Sequence, residues 1–185
     1  DEGIGKVLNT LDALDIADDT LVIYLYDHGG RNLVNSEPLF HGFATLWEGG
    51  IRIPTIMRLP GVIPANEKSD MTGIAMDLTA TILDVVGIDD EASKSLDGIS
   101  LIPYLRKERP AIPRQFFWRS DSSNFGKQRA IRDGKWKYLE HGYTQFLFDL
   151  DADVGERHNL IYKQPAVASR MRTALSSWLE SHPVK

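Results

Sequence analysis

Asp27 and His28 are the residues of this chain best suited to chemistry. A carboxylate and an imidazole stand side by side, followed by Gly29 and Gly30. Both side chains are ligands for divalent cations, and the glycines let backbone come close to whatever is bound. Two adjacent donors hold a metal only if others come from elsewhere. The dipeptide alone therefore favours an aspartate capping the next turn beside a surface histidine. Its position says more. Thr20-Leu21-Val22-Ile23-Tyr24-Leu25-Tyr26 is an unbroken run of strand formers, the pattern of a strand covered on both faces in a parallel sheet. Polar residues and glycines at the carboxyl end of such a strand are where open α/β sheets place ligands.

Composition narrows the chemistry. The 185 residues include no cysteine, so disulfides, thiolate metal sites and a cysteine nucleophile are excluded within the chain. With 42% hydrophobic and 25% charged residues, the composition is ordinary for one globular domain, or for one large and one small. No stretch approaches the ~18 consecutive apolar residues of a membrane span. Residues 1–16 are neither basic nor continuously apolar and do not read as a signal peptide. The net charge of −5 is uneven: residues 101–185 carry fifteen basic side chains against nine acidic. That part is expected to dock on the acidic N-terminal part or to attract an anionic ligand.

The elements that must position the pair follow from periodicity. Ile4, Val7, Leu8, Leu11 and Leu14 predict an amphipathic helix over residues 2–16 ahead of the strand. Residues 31–50 read as a long loop, a length that is usually functional or disordered. Pro54 to Leu59 predicts a second strand, a parallel companion for the first. Asp77 is placed as the N-cap of a helix from Leu78 to Val86, and Leu101 to Arg106 as a short helical segment. Two prolines between Glu108 and Pro113 mark the boundary between residues 1–110, an α/β part, and residues 111–185, a small subdomain. Beyond it, Phe116–Arg119, Gln128–Arg132, Lys135–Leu139 and Tyr143–Leu150 read as four antiparallel strands, with Asp133-Gly134 as a two-residue hairpin turn. Alternation puts Trp136 and Tyr138 on the buried face and Lys135 and Lys137 on the open one. Val167, Met171, Leu175 and Trp178 predict a C-terminal helix covering that sheet. Aromatics interleaved with Lys and Arg from Arg114 to Tyr138 are read as the two faces of the sheet rather than as a nucleic-acid surface.

The order of segments adds a resemblance. Asp19-Thr20-Leu21-Val22-Ile23, Asp27-His28-Gly29, Leu46-Trp47-Glu48-Gly49-Gly50-Ile51-Arg52-Ile53-Pro54 and Met76-Asp77-Leu78 are followed by Asp97 to Leu101, Gly134 to Tyr138, Leu147 to Leu150, Glu156 and Asn159-Leu160. In that order they resemble the C-terminal part of the sulfatases, arylsulfatase-like members of the alkaline phosphatase superfamily, over nearly the whole chain. The resemblance implies the C-terminal portion of an alkaline-phosphatase-like α/β sandwich plus a small four-stranded antiparallel sheet covered by a C-terminal helix. It implies a sulfuric ester hydrolase with a formylglycine nucleophile and a divalent metal, usually calcium. Asp27 falls on a family metal-ligand position. His28 falls on the next, where Asn is usual, and its softer imidazole leaves the metal identity open between calcium and zinc or manganese.

Two departures from the family pattern stand out. The chain has no cysteine and no Ser-x-Pro-x-Arg, so the formylglycine precursor is expected upstream and the chain is expected to be an inactive fragment of a longer protein. A lysine that contacts sulfate in many members is replaced by Phe43. Arg31 or His41 is the candidate to take its role, with His41 preferred because it lies in the same loop. The expected substrate is a sulfate ester, a class that includes sulfated carbohydrates, with neither nucleic acid nor a membrane span involved. A phosphodiesterase or phosphonate hydrolase of the same superfamily and a non-catalytic sulfatase-like binding module remain as alternatives. The apolar strand and its bare edges predict self-association of the chain or poor order in residues 1–50. Relatives are often exported, to the periplasm or outside the cell, and the sequence leaves location open.

Overall fold

The computed structural model describes residues 1–31, 36–89, 91–121 and 126–183. Among these the chain forms two compact units. One contains residues 1–25 and 55–112, the other residues 26–54 and 113–185. Residues 26–54, which carry Asp27 and His28, thus group with the C-terminal segment, and the chain passes between the units again at residues 112 and 113.

The first unit holds α1 (Glu2–Ala13), β1 (Val22–Leu25) and β2 (Thr55–Arg58). The expected parallel pairing is corrected: β1 and β2 are antiparallel, with Val22 opposite Arg58 and Leu25 opposite Thr55. The reason is topological. The chain leaves β1 after Leu25 and re-enters at Thr55, which lies directly across from it, so the excursion closes like a long hairpin and no crossover reverses direction. All four residues of β1 are half-exposed, and Val7, Leu14 and Ile56 are exposed, so this unit keeps apolar side chains in water.

In the same unit, α3 (Met76–Val85) starts before Asp77, and the expected N-cap is Ala75 instead. The fully buried Asp77 carboxylate sits in the first turn, where it accepts the N–H of Ile74 (2.9 Å) and that of Ile99 (3.0 Å). It ties the segment before α5 (Ile102–Leu105) to α3, and the Thr81 hydroxyl adds a bond from the Leu101 N–H. Glu91–Lys94 is a further short helix, α4.

The second unit is built on the four-stranded antiparallel sheet β3 (Gln115–Ser120), β4 (Gln128–Asp133), β5 (Trp136–His141) and β6 (Thr144–Asp149), in that order across the sheet. Gly134, at φ +59°, makes the expected tight turn between β4 and β5. α6 (Pro165–Ser181) lays Ala168, Met171 and Leu175 on Ile131, Tyr138 and Leu147, closing one face. Burial pushes the Tyr138 hydroxyl up to about 12, against the hydrogen bond from Arg172.

The other face is not open, which corrects the expectation of a sheet buried on one side. Leu46 and Trp47 pack on Ala130, Leu139, Phe148 and Leu150 there, with Phe40, Trp118 and Phe146 around them. Residues 40–51, most of which fall within the segment 31–50 read from the sequence as a long loop, cover this face and contain one helical turn, α2 (Glu48–Ile51). Gln128, wholly buried on β4, accepts the Leu46 N–H at 2.9 Å.

Candidate functional site

The chain leaves β1 into a turn that carries Asp27 and His28. The Asp27 carboxylate accepts the His28 N–H at 3.0 Å and is 86% exposed. The His28 ring places Nδ1 2.8 Å from the Gly29 carbonyl. A carbonyl can only accept, so in the neutral ring Nδ1 bears the proton and Nε2 keeps its lone pair. Nε2 lies 3.4 Å from Asp27 Oδ2. A nitrogen lone pair and a carboxylate therefore converge on one exposed spot, a two-donor set for a cation.

Glycine makes this turn possible by close approach. The Gly29 N–H donates to the Gly50 carbonyl at 2.9 Å, and a Cβ on Gly29 would lie 1.8 Å from the Gly49 carbonyl oxygen. A Cβ on Gly50 would meet the Thr45 carbonyl at 2.2 Å, and one on Gly49 would meet the Phe40 and His41 carbonyls at 2.3 Å. Backbone packs on backbone throughout, so the Glu48-Gly49-Gly50 segment is what holds the Asp27–His28 turn in place.

Glu48 is in turn held from beneath, by residues the sequence reading missed. Lys137, assigned by alternation to an open face, is wholly buried, with Nζ 2.9 Å from Glu48 Oε1 and 2.7 Å from Glu156 Oε1. Glu156 also accepts the Glu48 N–H at 2.6 Å. Arg52 adds an ion pair to Glu48 at 3.2 Å. Burial pushes the Glu156 carboxyl up, and the Lys137 ammonium pulls it back in part. Glu156 adopts φ +54°, a left-handed conformation that puts its carboxylate on the underside of α2. The signal was present, since Lys137 and Glu156 both lie in family-like segments. Strand alternation hid it, because residues 40–51 form a second cover over the sheet.

Arg31 and His41 go to different places. The Phe43 ring, standing where a lysine was expected, lies 4.4 Å from the His28 ring. The Arg31 guanidinium sits over the same phenyl ring at 4.8 Å. Asp27, His28, Phe43 and Arg31 are thus one cluster. The His41 side chain instead meets Phe40 (4.2 Å), Trp47 (4.9 Å) and His141 (6.3 Å between ring centres). Burial, then the electrostatic influence of His141 and Arg157, holds the His41 imidazole below its ordinary pKa.

His141 is half-buried, and its Nδ1 accepts the Trp47 indole N–H at 3.2 Å. His158 and His182 are exposed. Arg119 and Arg129, two basic residues of the C-terminal part, are engaged inside the subdomain: Arg119 donates to the His182 carbonyl and Arg129 pairs with Asp121. Among the described residues no group of three or more His, Asp or Glu side chains gathers to hold a metal. Asp27 and His28 supply two donors of a set that needs more.

Comparison with known proteins gives a consistent picture. The Sulfatase family profile matches residues 1–88. The chain is 32% identical over 162 residues to a choline-sulfatase of Rhizobium meliloti, a match that covers 86% of this chain and 30% of that protein. It is 33% identical to a human N-acetylgalactosamine-6-sulfatase, covering 70% of this chain and 27% of the relative. The crystal structure of Ps i-CgsB in complex with k-i-k-neocarrahexaose superposes with a TM-score of 0.83 at 26% identity, over 96% of this chain and 40% of that one. The chain therefore spans about a third of the length of these curated relatives.

Proposed function

The chain belongs to the sulfatase family, and from that premise we propose that the whole protein hydrolyses sulfate esters, with this chain supplying part of the cation site. The observation that carries the reading is the Asp27–His28 pair. One carboxylate and one imidazole lone pair meet at an exposed turn that is fixed by backbone packing onto Glu48-Gly49-Gly50. Asp27 and His28 would hold a divalent cation, calcium by family habit. A bound cation there would offset the sulfate charge and orient the nucleophile. The nitrogen donor of His28 favours a transition metal such as zinc more than an amide oxygen would.

The nucleophile is not among these residues, which contain neither cysteine nor Ser-x-Pro-x-Arg. In this reading it is a formylglycine elsewhere in the whole protein, and the 185-residue chain alone is inactive. Arg31 takes the place of the missing lysine, because its guanidinium reaches the His28 cluster over the Phe43 ring while the His41 ring turns away onto Trp47 and His141. Guanidinium groups bind sulfate-like oxyanions with paired N–H donors, so the exchange keeps a cation for the ester.

The substrate class proposed is a sulfated carbohydrate, supported by the oligosaccharide complex of Ps i-CgsB and the sugar sulfatase among the relatives. The test is turnover by the whole protein of 4-nitrophenyl sulfate and of a sulfated disaccharide beside 4-nitrophenyl phosphate. Release of sulfate from both sulfate esters, with the phosphate ester much slower, is the expected result. Faster cleavage of the phosphate ester, or no turnover of any ester, would overturn the reading.

A further inference from the structure

The His28 imidazole can serve a cation only while its ring is held with Nε2 toward Asp27. Its own turn fixes that ring at one end. Nδ1 is tied to the Gly29 carbonyl at 2.8 Å, which sets the tautomer. A histidine side chain turns about both χ1 and χ2, and one hydrogen bond to the next residue does not fix both. The side chain is also 37% exposed, yet Nε2 stands 3.4 Å from Asp27 Oδ2. A second contact has to set the plane of the ring.

Phe43 makes that contact. Its ring centre lies 4.4 Å from that of His28, with the two planes tilted by 55°. This is close for a pair of aromatic rings, so the imidazole has little room to turn on that side. The phenyl ring itself rests on a fixed base. The Phe43 N–H donates to the Gly30 carbonyl at 2.9 Å, and a Cβ on Gly42 would lie 2.4 Å from the same oxygen. Behind the ring, the Thr45 hydroxyl and N–H both donate to the Gly42 carbonyl, at 2.7 and 3.2 Å. The segment that carries Phe43 is thus bound backbone to backbone to the turn that carries His28. The Arg31 guanidinium, 4.8 Å from the Phe43 ring centre, gives the ring a second neighbour. A phenyl ring has neither charge nor lone pair. It can orient an imidazole without competing for a cation, and without repelling one as an ammonium in its place would.

We propose that Phe43 is a positioning residue of the cation site: its ring sets the plane of the His28 imidazole and so keeps Nε2 beside the Asp27 carboxylate. The proposal rests on the cation-site part of the sulfate-ester reading and deepens it, because the aromatic ring at position 43 then belongs with the nitrogen ligand at position 28. In this role Phe43 acts through His28.

The test compares the whole protein, stripped of metal, with its Phe43→Leu, Phe43→Tyr and Phe43→Lys variants. Calorimetric titration with cobalt(II), of the site that Asp27→Asn weakens, reads the cation site without any ester. Crystal structures of the metal-free forms read the His28 ring. Phe43→Leu keeps apolar bulk without a ring and should bind cobalt(II) about tenfold more weakly, the scale on which loss of a group that orients a metal ligand is felt. Phe43→Tyr should bind it nearly as well as the unsubstituted protein. Phe43→Lys should lose more than Phe43→Leu, because it adds a positive charge beside the ligands. His28 Nε2 should swing away from Asp27 in Phe43→Leu and stay in Phe43→Tyr. A merely structural role would lower the unfolding midpoint of Phe43→Leu and leave its cobalt(II) affinity alone. Equal affinities for the unsubstituted protein and Phe43→Leu, or an unmoved His28 ring in Phe43→Leu, would overturn the proposal while leaving the sulfate-ester reading intact. A protein that cleaves no sulfate ester but loses cobalt(II) affinity in Phe43→Leu upholds the role of Phe43 as the hydrolase reading falls. Cobalt(II) binding that is absent, or indifferent to Asp27→Asn, overturns both.

Discussion

Lys137 and Asp27 are charged residues of the same compact unit, and the fold treats them in opposite ways. Lys137 is fully buried between Glu48 and Glu156, and its ammonium meets both carboxylates within 3 Å. Asp27 is almost wholly in water, and beyond the His28 N–H its carboxylate faces outward beside the His28 ring. A buried charge with its partners in place is structural, because its cost is recovered only by the groups it holds. An exposed carboxylate paired with an aligned imidazole lone pair is an open valence. The difference separates the charges that build this turn from those it leaves open to a ligand. The buried cluster fixes α2, α2 fixes the turn after β1, and the turn presents the two donors.

Breaking the buried cluster should have the largest effect. Lys137→Met leaves Glu48 and Glu156 as buried, uncompensated carboxylates and is expected to cost about 3–5 kcal/mol in urea unfolding. A loss under about 1 kcal/mol would mean that the lysine does not anchor α2. Asp27→Ala should do the reverse, shifting unfolding by less than about 0.5 kcal/mol because the side chain is exposed. The same substitution should lower turnover by the whole protein on the order of 10²-fold, since a cation ligand contributes several kcal/mol to the transition state. Equal effects of the two substitutions on stability would erase the distinction drawn here.

The link between the two regions can be sharpened with glycine. Gly29→Ala drives a methyl into the Gly49 carbonyl and should cost about 1–3 kcal/mol, displacing the Asp27–His28 turn as it does so. Gly61→Ala is strained by its own φ of +73° but meets no neighbour, so its loss should leave cation binding intact. The smallest effect belongs to His41. Its folded pKa lies below the unfolded value of about 6.5. At pH values between the two the unfolded chain binds more protons, so the contribution of His41 to stability is present above about pH 6.5 and is lost as pH falls through the folded pKa. Unfolding midpoints of His41→Gln should therefore vary less than those of the unsubstituted protein from about pH 7, just above an ordinary histidine pKa, down to about pH 5, well below it. A parallel pair of profiles would remove the predicted coupling.

Much of this arrangement is legible in the residues themselves. The four antiparallel strands, the Asp133-Gly134 turn and the C-terminal helix follow from period-two and helical spacing, and each falls within a few residues of the structure. Asp27 and His28 are marked by their place after an apolar strand. What periodicity misses depends on the partner of each surface. Lys137 looks outward by alternation, yet the face it points to is covered by residues 40–51, a segment rich in glycine and short of any repeat. The pairing of β1 is misjudged for a similar reason. Its apolar run says that it is covered without saying from which direction β2 returns. No neighbour in sequence marks His141, and only the fold brings Trp47 to its Nδ1.

The central claim is that Asp27 and His28 hold the cation on which sulfate-ester cleavage by the whole protein depends. Its most direct test strips metal from that protein and follows 4-nitrophenyl sulfate hydrolysis as calcium, zinc or manganese is returned, for the unsubstituted protein and for Asp27→Asn. Activity should vanish on stripping and return with one of these cations, and Asp27→Asn should need on the order of tenfold more of it or worse. Full activity in the stripped protein, or identical titrations for the two, would contradict the account.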